Sequence, residues 1–230
     1  MYAERPSARA GAVVWTLTAD GGPKRVLPDG CMDIIWDGGG LLVAGPDTRA
    51  QLPVTRPGTR LGAVRLLPGN GPRVLGVPAR ELRDRRVELA ALWPGGQVRR
   101  LAERLYEAAD PAAVLEELAA ERLRAAGPAD PWVTAVVAGL RAGRAVSAVA
   151  GETGLGARQL HRRALAAFGY GPKTLARVLR MNRALDLARA GRPLAEVAVR
   201  AGFADQAHLS RDVKALAGVA PGALLHPPAG

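Results

Sequence analysis

Cysteine is almost missing. Cys31 is the only one in 230 residues, which excludes an internal disulfide framework and any multi-cysteine zinc site. Histidine is scarce as well. His161, His208 and His226 share no helical ligand spacing, so no metal and no cofactor is expected. No apolar run approaches the roughly 20 residues that span a bilayer, so no membrane partner is expected. The opening MYAERPSARAGAVVW has no apolar leader core before a small-residue cleavage site, and the expected address is the cytoplasm. Lysine is reduced to Lys24, Lys173 and Lys214, and arginine carries almost all the positive charge, a habit of GC-rich coding.

What is present is unevenly placed. The 32 basic and 21 acidic residues leave a net charge of +11. Residues 1–130 hold 18 basic and 16 acidic residues, whereas residues 131–230 hold 14 and 5. Coding bias raises arginine everywhere and does not explain that asymmetry. A basic C-terminal half points to a polyanion, most often nucleic acid.

Up to about residue 80 the chain reads as β-rich. AVVWTL, MDIIW, LLVAG and GAVRLL are short apolar runs between Gly, Pro and Asp clusters, and WDGGGLL suits a hairpin connection. Such a pattern suggests a small barrel or sandwich. From about residue 79 the period becomes helical. ARELRDRRVELAALW places Leu82, Val87 or Arg86, Leu89 and Trp93 near one stripe, and QVRRLAERLYEA repeats the pattern. Asp110 before Pro111 is a helix start signal. AAGPADP, Ala125 to Pro131, is the best boundary, dividing the chain into 1–127 and 128–230.

Beyond that break the chain repeats itself. VSAVAGETGLGARQLHRRALAAFGYGP and LAEVAVRAGFADQAHLSRDVKALAGVAP align at a separation of 48, rising to 49 after one inserted residue. Each copy reads as a short helix, a glycine turn, a second helix with Leu-x-Arg, and then a glycine with proline three residues on. That is helix-turn-helix grammar. Between them PKTLARVLRMNRALDLARAG reads as a single linker helix of about 17 residues, on the order of 25 Å long.

These two stretches and the linker resemble the DNA-binding domain of AraC/XylS-type bacterial transcription regulators. LPDGCMDIIW, LLVAGPDT and VLGVPARELRDRRVELAALW resemble the small β-rich sensor domain of some members. Four positions depart from the family pattern. Gly156 stands where Ser or Thr usually opens the first recognition helix, Ala207 replaces a usual Ser, and Ala164 and Val213 replace larger apolar residues. The resemblance implies base contacts at Arg158, His161, Arg162, Gln206, Ala207 and Arg211.

The residues themselves support a DNA-reading face. An α-helix fits the major groove, where Gln pairs with adenine and Arg with guanine or phosphate. On the first recognition helix, about 157–168, Leu160, Ala164 and Leu165 should face inward, and Arg158, His161, Arg162 and Arg163 outward or along the rim. On the second, about 205–216, Leu209 and Val213 should face inward, and Gln206, Ala207, His208 and Arg211 outward. The bland alternative is two solvated arginine-rich faces. A Ser210–His208 catalytic pair is the other alternative, although sequence neighbours on a helix point apart.

In DGCMDIIW, strand alternation puts Cys31 and Asp33 on one face and Trp36 on the other. Cys31, Asp33 and Trp36 are the candidate ligand contacts, set against a reading in which Cys31 and Asp33 are structural. The expectation is therefore an α+β protein: a β-rich, barrel-like N-terminal domain with trailing helices, then an all-α domain of two helix-turn-helix units on a linker helix. It is expected to be a DNA-binding transcription regulator, activator or repressor, rather than an enzyme. Its partners would be double-stranded DNA, a small-molecule effector and RNA polymerase, and it would act as a monomer or homodimer. The competing class is a single-cysteine alkyl-transfer or thiol-dependent enzyme with a DNA-targeting domain.

Overall fold

The computed structural model describes residues 1–225. The N-terminal part is built on six antiparallel strands: β1 (Tyr2–Pro6), β2 (Ala12–Thr18), β3 (Met32–Trp36), β4 (Leu41–Ala44), β5 (Arg60–Leu66) and β6 (Arg86–Glu88), in the spatial order β1-β2-β5-β3-β4-β6. The loop Asp37–Gly40 closes the β3–β4 hairpin, and the Asp37 carboxylate accepts from the amides of Gly39 and Gly40. The alternation in MDIIW does what period 2 requires. Met32, Ile34 and Trp36 enter one core with Val43, Val64 and Leu66, while Asp33 lies on the opposite face, across the ladder from Arg65.

That core is covered by α1 (Gly71–Leu75), α2 (Gly95–Glu107) and α3 (Pro111–Ala125). The start of α3 follows its residues: Asp110 accepts from the amide of Ala113, and Pro111 occupies the first turn, where its missing N–H costs nothing. Leu115 and Ala119 of α3 are fully buried.

The expected helix across ARELRDRRVELAALW is not formed. The segment makes two 3-10 turns, Ala79–Glu81 and Leu89–Ala91, on either side of β6. Asp84 sits in the left-handed region at φ 57°, which ends any helix there, and Val87 pairs with Val43 to extend the sheet. The apolar spacing was still informative, because Leu82, Leu89 and Trp93 are all buried in the core of the sheet.

The C-terminal part is helical: α4 (Pro131–Arg141), α5 (Val146–Glu152), α6 (Ala157–Phe168), α7 (Pro172–Arg189), α8 (Leu194–Ala201), α9 (Gln206–Ala217) and α10 (Pro221–Leu225). It has two cores. Trp132, Val136, Val149, Leu160, Phe168, Leu175 and Leu179 form the first. Met181, Leu185, Val197, Phe203, Leu209 and Val213 belong to the second. The linker helix α7 gives residues to both, so it is the common wall between the units.

The two parts touch along a strap from the N-terminal sheet. Leu27 packs against the second helical core. Arg25 Nη1 donates to the Ala217 carbonyl at 2.6 Å, the Ala50 amide to the Leu216 carbonyl at 2.7 Å, and Asn182 Nδ2 to the Pro28 carbonyl at 2.8 Å. The first two bonds satisfy carbonyls at the end of α9 that the helix cannot satisfy itself.

Candidate nucleic-acid interface

Each helix-turn-helix unit ends the same way. Gly169 after α6 and Gly218 after α9 are left-handed, at φ 84° and 78°, and their amides return to the carbonyls of Leu165 and Lys214. A side chain at that φ would be strained, which is why glycine closes both helices. Pro172 and Pro221 then open α7 and α10.

The entries to the two second helices differ. Asp205 caps α9, its Oδ1 accepting from the His208 amide at 2.6 Å. At the matching place, Gly156 opens α6 with no side-chain bond. The turn before α9 is also held by His208. Its Nδ1 accepts from the Ala204 amide at 3.3 Å, and its ring meets Phe203 edge-on, centroids 5.3 Å apart. His208 is thus half-buried and committed to the turn, and Ser210 is not its hydrogen-bond partner.

The other expected readers lie where helical spacing put them. Arg158, His161 and Arg162 are exposed on α6, and Gln206, Ala207 and Arg211 are exposed on α9. Leu160, Ala164, Leu209 and Val213 are buried beneath them. The His161 ring rests on Gly171, where an added Cβ would come within 2.7 Å of Cε1. Arg163 faces α4 and pairs with Asp130 at 3.8 Å. His226 lies outside the described residues.

Asp212, next to Arg211, was not singled out by sequence. Its Oδ1 accepts from Arg177 Nη2 and its Oδ2 from Arg180 Nη2, both at 2.8 Å. Burial alone would raise this carboxyl, but the two guanidinium groups hold it below the ordinary carboxylate range.

On the N-terminal sheet, Asp33 Oδ1 accepts from Trp15 Nε1 at 2.6 Å and from Arg65 Nε at 3.3 Å, while Arg65 also faces Asp29 at 3.4 Å. Burial pushes the Asp33 carboxyl up to about 6, against the pull of Arg65 and with a further push from Asp29. Cys31 is buried beside them, and burial, Asp29 and Asp33 raise its thiol well above the usual value. The thiolate that alkyl transfer needs is thereby disfavoured. Trp36 lies in the opposite core, so the three candidate ligand contacts do not meet in one pocket.

A cleft of about 770 Å³ does separate the two parts, lined by Arg9, Leu67, Arg73, Val133, Val137 and Arg141 among others. Tyr170, at the α6–α7 joint, is pressed into the N-terminal part beside Gly30, and its hydroxyl has no partner among the described residues. Among those residues no cluster of His, Cys, Asp and Glu is arranged to hold a metal, and no helix is long and apolar enough to cross a membrane.

Residues 149–226 match a family model described as a helix-turn-helix domain, and residues 12–88 match one described as a domain of unknown function, DUF6597. The C-terminal part is an AraC-type helix-turn-helix domain. Such a domain supports DNA binding and transcription regulation as the role of this part of the chain. The DUF6597 match runs from the first residue of β2 to the last of β6, so it spans the strands that form the sheet after β1.

Solved structures of ToxT from Vibrio cholerae are similar over most of the chain. An apo variant from strain SCE256 is 12% identical, with 94% of this chain and 97% of that chain covered, at a TM-score of 0.48. Wild-type ToxT from that strain, bound to an unsaturated fatty acid, is 13% identical, with 93% and 94% covered, at 0.45. No curated protein matches the chain.

Proposed function

We propose that the protein binds duplex DNA sequence-specifically through two unequal halves of one site. In this reading α6 and α9 enter successive major grooves on one side of the duplex, about 34 Å apart. Arg158, His161 and Arg162 serve the first groove. Gln206, Ala207 and Arg211 serve the second, with His208 supporting the turn and Arg163 left to the rim. The observation that carries the reading is the shared wall. Both helix-turn-helix cores are built on α7, whose 18 residues join the two readers without a break. Because one chain carries both, binding does not require a dimer.

Most of the affinity would come from arginine contacts to phosphate, and the selection of sequence from the exposed polar side chains. Arg158, Arg162 and Arg211 make no ion pair among the described residues, so they are free to do this.

The N-terminal part would supply control. Its strap holds the end of α9 and the middle of α7, so a signal received on the sheet or in the cleft has a physical route to the reader. Asp33 and the arginine-lined cleft are the places where an effector would bind.

Selection of bound sequences from random duplex DNA tests this function. The expected result is a two-part site with its halves one helical turn apart, about 10 base pairs. Equal recovery of all duplexes would defeat it. In this reading residues 128–230 alone bind DNA and residues 1–127 do not.

A further inference from the structure

Arg163 and Asp212 occupy matching positions in the two repeats, each one residue after the reader arginine, and they carry opposite charges. Each is tied to the helix that supports its own unit. Arg163 reaches back to Asp130, the cap of α4, across 3.8 Å, with both side chains about half exposed. Asp212 reaches back to α7 and there binds two guanidinium groups, with its side chain only 14% exposed. The first contact is a loose surface pair, of little energetic weight. The second is a short, charge-assisted, three-centred arrangement of the kind that fixes geometry.

Arg180 extends that arrangement into the turn. Its guanidinium carbon lies 4.5 Å over the Phe203 ring, and its Nη1 is 3.5 Å from the Gly202 carbonyl. The linker helix therefore grips the second unit at two points, the turn before α9 and the middle of α9. Two grips on one helix define its direction, where one would leave a pivot. Among the described residues the first unit has no equivalent arginine grip from α7: α6 has no side-chain cap, and α5 buries only Val149.

We propose that Asp212 is a positioning residue for DNA recognition: by holding Arg177 and Arg180 it aims Gln206 and Arg211 at the second half-site. The inference rests on the two-groove reading above. A bidentate base contact tolerates misplacement of only about 0.5 Å, so releasing the clamp should blur the second half-site and spare the first.

The test uses the full chain and the duplex that the wild-type protein selects. Affinities are measured for single-base variants in each half, the second half being the one whose preference Gln206→Ala alters. Asp212→Ala should lose discrimination in the second half by roughly tenfold and keep it in the first. Asp212→Glu, one methylene longer and still charged, should restore most of it, and Arg163→Ala should leave both halves within about twofold of wild type. Where Asp212→Ala does not fold, Asp212→Asn keeps the shape, removes the charge and is held to the same outcomes. Undiminished discrimination in the second half overturns the proposal. So does an equal loss in both halves, which marks a merely structural role. A wild-type protein with no base preference at all sinks the two-groove reading and the clamp with it, whereas a discriminating wild type with an unchanged variant sinks the clamp alone.

Discussion

The Asp205 carboxylate accepts from the backbone amide of His208 at 2.6 Å, while Gly156, at the matching position 49 residues earlier, offers its helix no side-chain bond. Asp205→Ala should therefore cost about 1 kcal/mol of stability, the usual price of a lost N-cap. Gly156→Asp should gain only a few tenths, since glycine is itself a tolerable cap. No atom lies within 4 Å of an added Cβ there, so the substitution fits. Chemical denaturation of the two variants checks both signs.

Gln206→Ala and Arg211→Ala should fail in different ways. A lost bidentate base contact costs about 1–3 kcal/mol and relaxes preference at one base. A lost phosphate contact weakens all sequences alike and lowers the salt slope by about one. Gln206→Ala should show the first pattern, and for Arg211→Ala the salt slope distinguishes the two. If both variants fold and keep wild-type binding and slope, α9 is not a reader.

Asp33 gives the stability a pH signature. Its carboxyl, pushed up to about 6 from an ordinary 3.8, holds its proton more tightly folded than unfolded. Its contribution is therefore greatest below about pH 4, falls as pH rises towards 6, and is level above that. Asp33→Asn should remove the fall. Urea unfolding of both proteins at several values between pH 4 and 7 checks the difference. If Asp33 contacts an effector, the same variant should also lessen the ligand-induced rise in melting temperature.

Tyr170→Phe should stabilise the protein. The hydroxyl is buried without a partner among the described residues, and burial raises its pKa far above the ordinary value. Removing an unsatisfied buried group recovers about 1 kcal/mol or more. A fall in melting temperature would mean that the hydroxyl has a partner, such as a trapped water.

The C-terminal half was legible because it repeats. Two copies with the same glycines and prolines mark their own turns, and the buried faces of α6 and α9 followed from spacing, except that Leu165, expected to face inward, is only half-buried. The N-terminal strands announced by apolar runs, β2 to β5, were legible too. β1 was not, since Tyr2 to Pro6 are all exposed and pair through their backbone, leaving no alternation to read. The stretch from Leu82 to Trp93 shows the limit of periodicity. Helical spacing identified the buried residues, but a chain with a left-handed Asp84 buries the same three side chains in another way. Contacts such as Arg25 with Ala217, or Asp212 with Arg180, join charged groups to distant partners, and no local pattern encodes them.

The shared wall has a consequence for how such a binding site can change over generations. One residue inserted into α7 would turn everything beyond it by about 100° and advance it by about 1.5 Å. Leu175 and Leu179 belong to one core and Met181 and Leu185 to the other, so the insertion would uncouple one unit from its own interior. Exposed positions such as Arg158 and Gln206 carry no such penalty. In the two-groove reading, the letters recognised would be free to drift one substitution at a time, while the gap between them would be inherited as a length of helix.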